Sequence, residues 1–315
     1  ASYIPEITKI TLDHIKQKLV GKKINNINKI IRSLDIPFVT DKGFIKSVLS
    51  SFEIALWDLK AKTLKKPLYK LLNPNYRKKN ILCYASGGSV VFKEKQIQKD
   101  INILKMTNHN SYKMRIGYLN WETDLKRIKF AKKQLNKNKL IIDAIMGTLK
   151  KWNYKILKKR LPILNKLNLL WLEEPFHPED IDSYIKLKKD SINKIKIAIG
   201  ESFTSYNEFK YLIENNLCDI VQPDITQLGI LDCIKVIKLA NKKKKMVSMH
   251  VWGSPVSYLS NLNFAIAFDE VNFFECPLVE YEFIKKFYRK YSEIMNGNIY
   301  IKKKFYGTGI EIKTK

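Results

Sequence analysis

Apolar residues recur along this chain in two rhythms, and the change from one to the other divides it. Through residues 6–34 they fall at helical spacing, as Leu12, Ile15 and Leu19 and then Ile24, Ile27, Ile30 and Ile31, which predicts two helical pieces. A stronger helix is predicted over 44–64, where Ile45, Val48, Leu49, Phe52, Ala55, Leu56 and Leu59 share one face. The segment KKPLYKLLNP that follows is expected to end helical order.

From residue 80 onward, short apolar runs alternate with helix-period stretches. Eight runs read as strands, namely ILCYASG, SYKMRIG, KLIIDA, LLWLEE, IKIAIGE, DIVQPD, KMVSMH and VNFFE, and the seven connections between them each contain a helical stretch. Repeated strand-helix units predict a parallel sheet, and eight strands close a (β/α)8 TIM-type barrel. The tail from about 279 is expected to hold one more helix. After it comes IYIKKKFYGTGIEI, where Gly307 and Gly309 predict a turn in a small antiparallel element lying as a flap outside the barrel. The expected organisation is α/β: a small helical lobe over 1–42, the barrel over 43–278, and a segment over 279–315 that returns to the lobe.

Length and composition support a large single core, with 315 residues and 45% hydrophobic content. No run approaches the roughly 20 apolar residues of a membrane span, and no signal-peptide pattern opens the chain, so a cytoplasmic protein with no membrane partner is expected. The four cysteines, Cys83, Cys218, Cys233 and Cys276, lack metal-type spacing and read as reduced core thiols. A formal charge of +28 raises nucleic acid as a partner. The basic residues are nevertheless spread over almost every predicted helix, and Arg occurs only at 32, 77, 115, 127, 160 and 289. Bidentate phosphate contacts favour Arg, so nucleic-acid binding is not expected, and the positive field suits a small anionic substrate instead.

The candidate chemistry lies on the strand rhythm. Lys113, Asp143, Glu173, Glu201, Asp224, His250 and Glu275 follow one another at gaps of 30, 30, 28, 23, 26 and 25 residues. Those gaps are what one strand, one helix and two loops consume, and all but Lys113 close an apolar run. A barrel gathers such strand ends at one mouth, so the series reads as a single active site. Asp143, Glu173 and Glu201 fall on three consecutive strands. Crowded carboxylates call for a hard divalent cation, and an all-oxygen donor set selects Mg²⁺ or a similar ion. Glu174 is the second choice at the middle position, because it faces the other way if the strand persists. Lys113 and Arg115 share a strand face and can direct cations at one developing charge, while Asp224 can fix the tautomer of His250 and raise its basicity.

The motifs ALWDLKAK (55–62), YKMRIG (112–117), WLEEPF (171–176), GES (200–202), QPD (222–224) and HVWGS (250–254) keep the order and spacing of a known family. The chain resembles the mandelate racemase branch of the enolase superfamily from about residue 5 to its C-terminus. The resemblance implies a Mg²⁺ held by Asp143, Glu173 and Glu201 that grips a substrate carboxylate, in the arrangement generally known for that superfamily. It also implies a His250–Asp224 dyad as general base. Glu275 is implied as a hydrogen-bond donor to the substrate carboxylate, provided its pKa is raised enough to keep it protonated. A homo-oligomer is implied as well.

Three departures shape the expected activity. Racemases of the family carry Lys-x-Lys, whereas this chain has Lys113-x-Arg115, and Arg is a poor base. One-base chemistry therefore leads, in which His250 removes the proton α to a carboxylate and assists loss of a β-hydroxyl. The expected function is acid-sugar dehydration to a 2-keto-3-deoxy acid, with a sugar-lactone cycloisomerase or an epimerase as the alternative. Ile145 stands where much of the family has an Asn that meets a substrate hydroxyl, which changes the expected contacts there. Lastly, relatives begin with a three-stranded sheet, whereas this sequence passes almost directly from Ala1 into helices. The cap is expected either to be reduced to a helical remnant or to have its sheet upstream of Ala1.

Overall fold

The protein is described from a computed structural model, which covers residues 5–24, 26–36, 39–278, 286, 290–302 and 305–311, without the side chains of 148–150. Two helices open it, α1 (Pro5–Leu19) and α2 (Ile27–Arg32), followed by the long α3 (Gly43–Thr63). Helical order does not end there. Leu68, fully buried, anchors a short α4 (Leu68–Leu72) that begins immediately after Pro67, a residue preset for the turn entering a helix.

All eight expected strands form. They are β1 (Asn80–Ser86), β2 (Ser111–Arg115), β3 (Lys139–Asp143), β4 (Leu172–Glu173), β5 (Ile197–Ile199), β6 (Ile220–Val221), β7 (Met246–Met249) and β8 (Phe273–Pro277). Each pairs in parallel with the next, and β1 pairs with both β8 and β2, so the sheet closes into a (β/α)8 barrel. Between the strands lie α5 (Glu94–Met106), α6 (Trp121–Leu135), α7 (Ile145–Lys150) with α8 (Tyr154–Asn165), α9 (Ile181–Lys189), α10 (Tyr206–Glu214), α11 (Ile225–Leu228) with α12 (Ile230–Lys242), and α13 (Pro255–Ala267). Side chains alternate along each strand, which separates two packed regions. Tyr84, Ile141, Trp171, Ala198 and Ile220 fill the interior, and the larger cluster packs between strands and helices. Edge-to-face contacts of Trp171 with Tyr84 and Phe273 plug the barrel beneath its mouth.

The tail departs from expectation. Residues 279–285 and 287–289, where a last helix was predicted, lie outside the described residues. Beyond them β9 (Ser292–Met295) and β10 (Asn298–Ile301) form a hairpin, and β10 pairs antiparallel with β1 over Asn80–Leu82. The antiparallel element therefore extends the barrel sheet instead of lying outside it. Its turn is Asn296–Gly297, with φ of +50° and +73°, the left-handed pair that Asn-Gly adopts at low cost. Gly307 and Gly309 serve a different contact, where the tail crosses α3 and the Asp58 carboxylate accepts from Thr308 N at 2.6 Å and from Thr308 Oγ1 at 2.9 Å.

Helix α3 ties the N-terminal helices to the mouth. Lys46 pairs with Asp232 at 2.7 Å, Ser47 donates to Gln227 Oε1 at 2.6 Å, and the buried Glu53 accepts from Leu231 N at 2.8 Å at the start of α12. Gly229, at φ +87°, sits so close to the Glu53 carboxylate that a Cβ would collide with it. Burial, opposed by the Leu231 amide and Lys46, pushes the Glu53 carboxyl up to about 7. Among the described residues no helix is long and apolar enough to cross a membrane.

Glu53 therefore makes stability depend on pH. The folded state holds this proton more tightly than the unfolded chain, so its contribution is complete below pH 4.5 and is lost as pH rises through 7. Glu53→Gln keeps the acceptor for Leu231 N and removes the titration. Denaturant unfolding at several pH values should show the variant gaining on the wild type by an amount on the order of 3 kcal/mol between pH 4.5 and 8. A constant difference across that range would refute this assignment.

Candidate active site

Three consecutive strands deliver three carboxylates to one place. Asp143 ends β3 and Glu173 ends β4, and the two are register partners. Glu201 follows β5 after Gly200, whose φ of +123° turns the chain at a point where a Cβ would strike the Phe209 ring. One oxygen from each of Asp143, Glu173 and Glu201 lies within 4.8 Å of the others. This all-oxygen set suits a hard divalent cation. Glu174 turns away at φ +42°, and its buried carboxylate accepts from Met146 N at 3.0 Å and Ser202 Oγ at 3.4 Å. Burial, followed by the charges of Glu201, Asp143 and Glu173, pushes its pKa well above the ordinary range. Of the two neighbours, the one in the carboxylate cluster is thus Glu173.

The loop after Asp143 is strained. Ile145 and Met146 have φ of +41° and +46°, costly for any residue with a Cβ and most of all for a β-branched one. The bend lets Ile145 N donate to Asp143 Oδ1 at 2.8 Å while Met146 N meets Glu174. Backbone amides thus aim both acids.

Lys113 supplies the counter-charge. Its ammonium is wholly buried, 2.7 Å from Glu173 Oε1, 2.8 Å from Glu275 Oε1, 3.8 Å from Asp143 Oδ2 and 4.0 Å from Glu201 Oε2. Burial opposes that charge, and Glu173 and Glu275 more than offset it, so its pKa stands well above the usual lysine value. Arg115 sits nearer the opening. Its Nε lies 3.6 Å from Asp143, Nη1 donates to Gly87 O at 2.8 Å, and the guanidinium stacks 4.7 Å from the Trp252 ring. Glu275 differs from expectation. Burial would raise its pKa, but Lys113, His250 and Arg115 lower it to about 2, and its Oε2 accepts from Val251 N at 3.0 Å. It is held here as a carboxylate and an acceptor, so the condition for donating a hydrogen bond is not met.

His250 follows β7 directly and faces the same mouth. Its Nδ1 lies 3.0 Å from Asp224 Oδ2, and its Nε2 lies 3.7 Å from Glu201 and 4.0 Å from Glu275. Burial would lower the imidazole pKa, but the Asp224 bond and the charges of Glu201 and Glu275 raise it to about 10. Asp224 is fixed in turn, because its Oδ1 accepts from Thr226 N, Thr226 Oγ1 and Asn261 Nδ2 at 2.7–2.8 Å. Only Oδ2 is left for the histidine.

Every expected site residue thus meets at the mouth, and four more join them that the sequence reading did not single out. Trp171 Nε1 donates to Glu173 Oε2 at 3.1 Å, and Asn261 orients Asp224. Trp252 was visible only as part of HVWGS. Gln222, quoted within QPD, is wholly buried with neither amide atom hydrogen-bonded to the protein. A polar residue directly after an apolar strand was its one signal, and Asn261 in the middle of an apolar helix had none stronger.

Comparison with known proteins follows the same lines. Residues 3–73 match the family described as "Mandelate racemase / muconate lactonizing enzyme, N-terminal domain", and residues 97–315 match "Enolase C-terminal domain-like". L-talarate/galactarate dehydratase of Salmonella typhimurium is 30% identical over 241 residues, which is 75% of this chain and 58% of the relative. The chain therefore spans less than two thirds of that relative's length. A variant L-talarate/galactarate dehydratase liganded with Mg and L-glucarate superposes with a TM-score of 0.83 at 25% identity, covering 98% of this chain and 75% of that one. The 3,6-anhydro-D-galactonate cycloisomerase from Zobellia galactanivorans shares the fold at a TM-score of 0.85 and 24% identity, over 99% and 86% of the two chains. With both domain models matched in order and a relative at this identity across three quarters of this chain, the protein belongs to the mandelate racemase/muconate lactonizing enzyme family of the enolase superfamily.

Proposed function

We propose that this protein is a Mg²⁺-dependent acid-sugar dehydratase. The observation that carries this reading is the His250–Asp224 dyad set 3.7 Å from Glu201 of the carboxylate cluster, with an arginine in place of a second base. Asp143, Glu173 and Glu201 would hold the ion, and the dehydratase relative that carries Mg and a sugar acid supports that choice. Bound there, Mg²⁺ would act as a Lewis acid toward the charge that develops on the substrate carboxylate.

The chain's own groups divide the remaining work. To act as base, His250 must first lose the proton that Asp224, Glu201 and Glu275 favour, a loss that a cation held by Glu201 would promote; Nε2 then takes the α-proton, because Nδ1 is committed to Asp224. The resulting imidazolium then delivers that proton to the β-hydroxyl, which leaves as water, and the enol becomes a 2-keto-3-deoxy acid. Lys113 is buried and engaged by Glu173 and Glu275. Arg115, whose side chain is 18% exposed, is therefore the cation open to an incoming anion. An arginine keeps its proton, so the opposite face of the substrate has no base and racemisation is disfavoured.

Incubating the enzyme and Mg²⁺ with a panel of aldonic and aldaric acids and their lactones, followed by mass analysis, should yield 2-keto acids lighter by one water. A product of unchanged mass from a lactone would replace this reading with cycloisomerisation. His250→Asn should cut turnover by roughly 10²–10⁴-fold, the usual weight of a positioned acid-base group, with the fold intact by circular dichroism. Asp224→Asn should cost about 10–100-fold through loss of orientation. Chelation should abolish turnover, with Mg²⁺ restoring it in the wild type and failing to do so in Glu201→Gln. Full activity after exhaustive chelation would rule out the metal.

A further inference from the structure

Cys83, His109 and Cys276 are remote in sequence and meet beneath the barrel's outer layer. Cys83 on β1 and Cys276 on β8 belong to the cluster between strands and helices, and His109 precedes β2. All three are buried, at 3%, 4% and 5% exposure, and one donor atom from each lies within 4.8 Å of the others. All four cysteines are free and buried, as the sequence suggests, and His109 lies in the short connection between α5 and β2; what the sequence does not show is that two of the thiols and this imidazole face one another.

The tautomer of His109 follows from its neighbours. Thr107 Oγ1 lies 2.8 Å from His109 Nδ1 and donates its single proton to Ile103 O at 2.7 Å. Toward the ring it can only accept, so Nδ1 carries the hydrogen and Nε2 keeps its lone pair. That Nε2 is buried and faces the Cys276 thiol. An imidazole steadied through one nitrogen, with the lone pair of the other turned toward a ligand, is the usual form of a metal-ligating histidine.

A disulfide does not fit the same pair. Cys83 is register partner to Phe274 and Cys276 to Ala85, so the cysteines stand two residues out of step on adjacent strands. With a rise of about 3.3 Å per residue and strands about 4.8 Å apart, their Cα atoms are roughly 8 Å apart. Disulfides reach to about 6.8 Å. An ion held at about 2.3 Å from sulfur and 2.0–2.1 Å from nitrogen bridges the donors without moving the backbone.

We propose that Cys83, Cys276 and His109 form a second metal site, for a thiophilic d¹⁰ cation, Zn²⁺ or Cu⁺, separate from the carboxylate cluster. Two thiolates and an imidazole select such ions over Mg²⁺. Binding replaces two S–H bonds with two metal–sulfur bonds and releases two protons to solvent. Three donors complete trigonal Cu⁺, or leave a fourth position of tetrahedral Zn²⁺ to water. The site joins β8, β1 and the segment entering β2, where the sheet closes. The hairpin turn covers it, since Cys83 N donates to Gly297 O at 2.8 Å and Gly297 N to Asn108 O at 2.7 Å. An ion here would hold the seam of the barrel and its C-terminal hairpin together.

The test uses the full chain, stripped of metal, reduced and kept in excess Mg²⁺, and titrates it with Co²⁺ as a spectroscopic probe. A thiolate-to-cobalt charge-transfer band should saturate at one ion per chain. Zn²⁺ or Cu⁺, whichever the site takes, should abolish it. It should vanish in Cys83→Ser and Cys276→Ser, persist in Glu201→Gln, and require about 10–100-fold more Co²⁺ in Thr107→Val, which loses the ring's orienting partner. Absence of the band, or its survival in both cysteine variants, overturns the proposal. Should those variants fail to fold, alkylation of the wild type during partial unfolding decides it. Zn²⁺ or Cu⁺ should shield Cys83 and Cys276 but not Cys218 and Cys233, and equal labelling of all four overturns it.

Discussion

One ammonium holds the mouth of this barrel together. Lys113 is fully buried among Glu173, Glu275, Asp143 and Glu201, where four negative charges so close would otherwise repel one another and the structure around them. A buried charge without partners costs several kcal/mol, and so do buried carboxylates without a cation. Each therefore requires the other. The balance still leaves the acids in excess, and that excess is what gives the site an appetite for a divalent ion.

This cluster depends on closure of the sheet. β1 pairs with β8 on one side and β2 on the other, and only then does Glu275 from the last strand face Lys113 from the second. The hairpin of β9 and β10 lengthens the sheet at the same seam, and Cys83, His109 and Cys276 gather beneath it. Closure thus places hard oxygen donors inside the mouth and soft sulfur and nitrogen donors behind the wall, on the opposite strand faces that the neighbours Glu275 and Cys276 present.

Support for the site comes from outside the barrel strands as well. Helix α3 lies against α11 and α12 through Ser47, Glu53 and Lys46, and Asp224 caps the start of α11. Asn261 from α13, which is buried from Ser257 to Ala267, holds the same carboxylate from the other side. The dyad is therefore fixed by two helices whose own positions are set by packing. Strain at Ile145 and Met146, where amides are aimed at Asp143 and Glu174, is held in the same way by surrounding structure.

The order and spacing of apolar runs were enough to read eight strands, seven helical connections and the residues at the strand ends, because a barrel repeats one local unit and its period survives in the chain. Motif resemblance assigned roles to those residues. Contacts between distant segments left no such period. The pairing of β10 with β1 could not be read from the tail, although Asn296-Gly297 marked its turn. Charge state was equally hidden: Glu275 is held as a carboxylate by Lys113, His250 and Arg115 beside it. The meeting of Cys83, His109 and Cys276, separated by up to 193 residues, was decided by the tertiary structure alone. Sequence fixes what each strand carries, whereas the closing register and the field inside the barrel decide which carried groups touch and which charge state they keep.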